Sequence, residues 1–298
     1  EYTIPTPAPE IYTYWFTVDG VKAADPLNVF VQRDGSNYLN MLLVPGERTE
    51  NYGEATKHGT VTHRWYTSKL LGMDRRLTVY TPYGYEQNPK KKYPVLYLLH
   101  GAGGDEEAWS SMGRAAQILD NLIEKGLAEP MICVMPNGNP NQAAAQTLGI
   151  PTSELDWRKP ENRTLYVRSL CEEIVPFIEK NYRAVPKPEK RAIAGLSMGG
   201  GHTISASLLY PQLFDYICPL SAAGQASPED IAKLKKAGVK LYWLACGNTD
   251  FLWQRSLDLK KVLEDEKMDN FEFFESEGGH VWANWRLYLN TFAQKLFK

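Results

Sequence analysis

The sequence predicts an α/β fold, a mostly parallel central sheet flanked by helices, preceded by a small and partial all-β module. Three observations lead there. Short apolar runs alternate with segments of helical spacing from about residue 60 onward, the signature of βαβ units. One such run passes straight into a glycine-flanked serine and then a helical segment. The first fifth of the chain is instead aromatic, β-branched and punctuated by turn residues, without helical spacing. The expected division is a β module with its linker over 1–55 and the α/β domain over 56–298.

In the first part, Tyr12 to Val18 reads as a strand that ends in the hairpin turn Asp19-Gly20. Val29 to Gln32 is a second run, before Arg33-Asp34-Gly35, and Tyr38 to Val44 a third, closed by Pro45-Gly46. Three or four strands make only part of a sandwich and leave an edge and an apolar face open. Such a fragment either leans on the main body or has lost preceding strands, and lost strands are the expectation. Glu47 to Gly59, polar and glycine-containing, suits a linker.

The second part begins with a hairpin, Val61 to Ser68 and Arg75 to Thr81 joined through Gly72, followed by the turn Pro82-Tyr83-Gly84. Strands are then expected at Val95–Leu99, Met131–Met135, Ala192–Leu196, Tyr216–Leu220, Leu241–Ala245 and Phe271–Phe274. Helical spacing covers Gly113 to Glu124, Thr164 to Lys180, Met198 to Leu209, Pro228 to Lys236, Asp250 to Lys267 and Trp282 to Lys295. In the second of these, Leu165, Leu170, Ile174, Phe177 and Ile178 can share a face, with Arg168, Glu172, Glu173 and Glu179 available for solvent.

Composition removes several function classes. A net charge of −2 and the absence of a long basic run remove the footprint of a nucleic-acid binder. No run approaches the 18 apolar residues of a membrane span, and Glu1 to Pro9 has neither the basic nor the apolar region of a signal peptide, so the chain reads as soluble and already processed. Cys133, Cys218 and Cys246 fall in strand-like runs and Cys171 in a helical one, without CxxC spacing, which reads as free core thiols. Neither HExxH nor paired-histidine spacing occurs, and no phosphate-cradling G-K-[ST] follows a strand, so neither metal nor cofactor is expected.

The chemistry concentrates in Gly195-Leu196-Ser197-Met198-Gly199. This G-x-S-x-G lies between a strand and a helix, where a cramped turn lifts the serine oxygen clear of a sheet, as in the α/β-hydrolase fold. A serine needs a positioned base, and in this fold the acid and then the histidine follow the nucleophile in the chain. Only His202 and His280 follow Ser197; His202 lies five residues along the same helix and reads as packing, which leaves His280 in Gly278-Gly279-His280. Asp250 follows the strand Leu241–Cys246 through Gly247-Asn248-Thr249 and takes the place of the acid, although it could merely cap the next helix. Asp215 precedes its strand, while Asp230 and Asp258 fall within helices. Two backbone N–H groups should stabilise the oxyanion: that of Met198, and one in the bend His100-Gly101-Ala102-Gly103-Gly104, for which Ala102 is the first choice and Gly103 the second. His100 reads as a buttress of the bend, and Trp282, two residues beyond His280, as a candidate substrate contact.

With the HGAGG bend, the GLSMGGG elbow, the Cys-Gly-Asn-Thr-Asp loop and the Gly-Gly-His-Val-Trp-Ala-Asn-Trp-Arg segment in this order, Val61 to Lys298 resembles carbohydrate esterase family 1. Feruloyl and acetyl-xylan esterases are its familiar members. Tyr12 to Pro45 looks like the C-terminal part of the immunoglobulin-like module that precedes such esterases. The resemblance implies a secreted or periplasmic enzyme that removes feruloyl or acetyl groups from xylan through an acyl-enzyme, without a cofactor, with Ser197, Asp250 and His280 as its triad. Alternatives are an enterochelin-type siderophore esterase, an acyltransferase, and a carbohydrate-binding protein on an inactive scaffold. Choice of acyl group depends on loops such as 139–163, whose path cannot be read from sequence.

Overall fold

The computed structural model describes residues 3–145, 156, 159 and 162–298; most of the 139–163 loop therefore lies outside the described residues. In chain order the elements are β1 (Glu10–Tyr14), β2 (Phe16–Val18), β3 (Val21–Ala23), β4 (Val31–Asp34), β5 (Asn37–Val44), β6 (Thr60–Ser68), β7 (Met73–Thr81), β8 (Val95–Leu99), α1 (Ala108–Ser111), α2 (Ala115–Glu124), β9 (Ile132–Pro136), α3 (Leu165–Ser169), α4 (Val175–Asn181), β10 (Arg191–Leu196), α5 (Met198–Leu209), β11 (Tyr216–Leu220), α6 (Pro228–Ala237), β12 (Leu241–Gly247), α7 (Trp253–Asp265), β13 (Phe271–Ser276) and α8 (Trp282–Phe292). Among the described residues no helix is long and apolar enough to cross a membrane.

Eight strands form one sheet in the order β13-β12-β11-β10-β8-β9-β7-β6. The six from β13 to β9 run parallel, and β7 and β6 close one edge antiparallel. Side chains alternate between faces with the period of two that a strand imposes. Leu96 and Leu98 of β8, Ala192 and Ala194 of β10, and Trp243 of β12 join one buried cluster, which Leu119 of α2 and Phe292 of α8 cover. Tyr97, Ile193 and Leu244 join the other, under Ile204 of α5, Leu234 of α6 and Leu263 of α7. Cys133, Cys171, Cys218 and Cys246 are free and buried in these layers. A sheet buried on both faces is the architecture the alternating pattern predicts.

The N-terminal strands form a three-stranded antiparallel sheet, β1-β5-β4, and a separate hairpin of β2 and β3. Asp19 (φ 50) and Gly20 (φ 82) both have positive φ, as a two-residue hairpin turn requires. The sheet rests on the main body: Ile11 and Tyr52 belong to its core, and Arg286 of α8, 1% exposed, donates to Glu10 Oε1 and Ile11 O, both at 3.0 Å.

The strand expected over Tyr12 to Val18 breaks at Trp15, because β1 pairs with β5 and β2 with β3 in separate sheets. Glu173, expected in solvent, instead accepts the Ser68 hydroxyl at 2.6 Å and the Lys69 N–H at 2.8 Å. Four further local expectations shift, each for a physical reason. β4 starts two residues late because the Asn28 side chain accepts the Phe30 N–H at 3.0 Å and holds a turn there. Glu47 to Gly59 is not a free linker, since Tyr52 is fully buried within it. The helix expected over Thr164 to Lys180 widens into a π segment at Leu170–Ile174, beside Pro176, which supplies no N–H to a regular α ladder. The helix expected from Asp250 begins at Trp253, because the Asp250 carboxylate accepts the Leu252 N–H at 2.8 Å and holds a turn there.

His202 packs within α5 as expected, its ring 4.7 Å from that of Tyr166, and burial pulls its pKa from 6.5 down to about 3. Between these values the unfolded chain binds a proton that the folded chain refuses, so this group costs stability as pH falls from 6.5 toward 3. His202→Phe is predicted to flatten the acid limb of the stability profile by up to about 1.4 kcal/mol per pH unit, read by urea denaturation at a series of pH values; parallel limbs would contradict it.

Candidate active site

The turn at Ser197 is set by close approach of three backbone segments. Ser197 joins β10 to α5 with φ 54 and ψ −115, a conformation that residues with a Cβ rarely adopt. A Cβ on Gly195 would lie 2.3 Å from Gly199 O, and one on Gly199 would lie 2.5 Å from His100 O. The end of β8 and the first turn of α5 therefore touch through main chain, and only glycine fits.

Two further loops meet at the same edge of the sheet. A Cβ on Gly247, at the end of β12, would lie 2.2 Å from Gly278 O, so the loops after β12 and β13 are also in backbone contact. Asn284 Nδ2 donates to Gly279 O at 3.0 Å and ties the second loop to α8. His280 Nδ1 consequently donates to Asp250 Oδ2 at 2.9 Å and Oδ1 at 3.0 Å. Burial alone would raise the Asp250 carboxyl, but hydrogen bonds from His280, the Leu252 N–H and the Ser221 hydroxyl outweigh it and hold the group below its ordinary range. It is an ionised acceptor, closed to solvent. The Leu252 N–H reaches Asp250 Oδ1 at 2.8 Å, so this carboxylate also helps shape the turn before α7.

Ser197 and His280 line one cavity of about 560 Å³. Gly101, Ala102 and Gly104 of the bend after β8 line it too. The bend is held from inside by His100, 1% exposed, whose Nδ1 donates to Gly101 O and whose Nε2 accepts the Gly138 N–H, each at 2.7 Å. Burial lowers the His100 pKa, which fixes the neutral tautomer that this pair of bonds needs. Asn139 Nδ2 donates to Gly104 O at 2.8 Å. The Ala102 N–H, within this turn, and the Met198 N–H, at the first position of α5, have no hydrogen-bond acceptor among the described residues.

Trp282 opens α8 and also lines the cavity, edge-on to Trp109 (5.3 Å) and Trp285 (5.1 Å), with its Nε1 3.4 Å from Asp34 Oδ1. Of the rejected carboxylates, Asp215 precedes β11, Asp230 forms a capping box with Ser227 at α6, and Asp258 accepts from Gln254. Among the described residues no group of three or more His, Cys, Asp or Glu side chains is placed to hold a metal ion.

Sequence reasoning missed two features of this site. Phe251, 73% exposed, and Trp285 set their rings 4.4 and 4.9 Å from that of His280 and flank the imidazole; the position of Phe251 beside Asp250 was a usable signal. The cavity wall formed by Glu10 to Thr13 of β1 and by Asp34 had none, because it depends on how the N-terminal sheet rests on α8.

Comparison with known proteins places the chain among esterases. The profile of the family described as "Putative esterase" matches residues 68–269, a span that holds Ser197 and Asp250. An endo-1,4-beta-xylanase/feruloyl esterase of Xylanibacter ruminicola is 33% identical over 97% of this chain, which spans 39% of that relative's length. A solved ferulic acid esterase superposes with a TM-score of 0.68 at 28% identity, covering 80% of this chain and 98% of its own. The ferulic acid esterase of Anaeromyces mucronatus, solved with ferulic acid, has the same fold, with a TM-score of 0.71 at 21% identity over 92% of this chain and 98% of its own.

Gly199→Ala is predicted to destabilise the fold by about 3 kcal/mol, since its Cβ would meet main chain that cannot yield, and to abolish ester hydrolysis in whatever fraction folds. Thermal melting followed by assay of the folded fraction checks this; an unchanged melting temperature would contradict it.

Proposed function

We propose, for a chain that belongs to this esterase family and is a carboxylic ester hydrolase, that it releases hydroxycinnamic acids, ferulic acid foremost, from esters on xylan. The observation that carries the reading is the bond between buried Asp250 and half-buried His280, with His280, Ser197 and Ala102 lining one cavity and the Ala102 and Met198 N–H groups without an acceptor among the described residues. An acyl-enzyme route follows from it. Ser197 Oγ attacks the ester carbonyl while His280 takes its proton, and Asp250 keeps the imidazole in the tautomer with Nε2 unprotonated and stabilises the imidazolium that forms. The N–H groups of Ala102 and Met198 receive the oxyanion. His280 then protonates the departing sugar oxygen, and water, deprotonated by the same imidazole, releases the acid.

Ferulate is favoured over acetate by cavity size and by Trp282, whose indole offers a hydroxycinnamoyl ring an edge or a face. The Xylanibacter relative, named for xylanase and feruloyl esterase together, supports xylan as the carrier of the ester. Such a substrate fits a secreted or periplasmic setting, and neither cofactor nor nucleic acid enters the chemistry.

Hydrolysis of methyl ferulate and of an aryl acetate, compared between the native chain and Ser197→Ala, tests the reading. Ferulate turnover is expected in the native chain and a loss on the order of 10⁴-fold or more in the variant. His280→Ala and the double variant should cost about as much as Ser197→Ala, because the residues act as a unit. Additive losses would contradict the triad, and turnover of acetate alone would move the assignment to deacetylation.

A further inference from the structure

The turn between β4 and β5 of the N-terminal sheet sits directly against the bend after β8. Gly35 lies in this turn with φ 59, and an added Cβ there would meet Gly103 O at 3.9 Å. Beside it the guanidinium of Arg33 pairs with the carboxylate of Asp105, the residue that ends the bend. Asp105 is 2% exposed. Its Oδ1 accepts the Glu107 N–H at 3.0 Å, and its carbonyl accepts the Ala108 N–H at 3.1 Å, so the same residue also starts α1. The Arg33 Nη1 donates to Gly35 O at 2.9 Å, which stiffens the turn that carries the guanidinium.

We propose that Arg33 is a positioning residue for the oxyanion bend: by pairing with Asp105 it fixes Gly101 to Gly104 from the solvent side, as His100 and Asn139 fix it from within. The inference rests on the reading that the Ala102 N–H receives the oxyanion. A carboxylate this buried is costly once its cation is removed. Without Arg33, Asp105 must turn toward water or take up a proton, and either change loosens the bend at its end. The Ala102 N–H would then no longer be held where the tetrahedral oxygen forms, and a donor displaced by a fraction of an ångström loses much of its worth in a water-poor site. The ground-state ester does not depend on that donor to the same degree, so the loss falls on kcat rather than KM.

The test uses the full chain and an aryl acetate. Arg33→Ala is expected to lower kcat by about 10- to 100-fold with KM held within about threefold, and Arg33→Lys to restore most of it. Affinity for an aryl boronic acid, whose serine adduct is a tetrahedral anion, should fall in step with kcat. Asp105→Asn should behave as Arg33→Ala, and the double variant should be no worse than either. Where Arg33→Ala melts below the assay temperature, Arg33→Gln, which keeps the aliphatic stem, gives the same comparison. An unchanged kcat, or a loss carried wholly by KM, would overturn the positioning role while Ser197→Ala remains inactive. Residual activity in Ser197→Ala would instead overturn the reading of the site itself.

Discussion

The architecture turns on one steric constraint, the main-chain contact among β8, β10 and α5. Gly195 and Gly199 let the end of β8, the end of β10 and the first turn of α5 pack without intervening side chains. Ser197 is thereby forced to positive φ, a strain of order 1–3 kcal/mol that the surrounding sheet and helix offset. The same contact places the N-terminus of α5, whose first N–H groups have no partner within the helix, and its positive dipole end beside the serine and the bend after β8. The proposed nucleophile and the proposed anion-stabilising N–H groups thus arise from a single packing event.

The proposed partners of Ser197 arrive through the same device two and three strands further along the sheet. Gly247 and Gly278 bring the loops after β12 and β13 into contact, and the Asp250–His280 bond forms where they meet. The N-terminal sheet completes the enclosure. Glu10 accepts from both Arg286 and Arg48, and this ion-pair cluster, buried at Arg286, pins β1 against α8. Desolvation makes such pairs poor sources of net stability, but breaking one leaves an uncompensated buried charge, so the arrangement specifies where β1 must lie. Since Glu10 to Thr13 line the cavity, that placement is also a statement about substrate access.

Much of this was legible in the sequence where the cause is local. The strand-serine-helix passage around Ser197, the alternation that yields the parallel sheet, and the Asp19-Gly20 hairpin each depend on neighbouring residues and are found where expected. The juxtaposition of Asp250 and His280 was readable from chain order, because strand order in a parallel sheet brings their loops to one edge. Non-local features escaped. Nothing in Glu47 to Gly59 announces that Tyr52 will enter the core, and nothing in Glu10 to Thr13 announces a cavity wall. The π segment and the late start of β4 are local but decided by single side chains, Pro176 and Asn28, that compete with the regular pattern.

The central claim is that the strained turn makes Ser197 the group that carries the acyl chain. Rapid quench of the native chain with methyl ferulate, followed by peptide-resolved mass spectrometry, tests it most directly. A feruloyl-sized increment confined to the peptide bearing Ser197, absent from Ser197→Ala, is the predicted result. An increment on a different residue, or steady turnover by the Ser197→Ala variant, would contradict it.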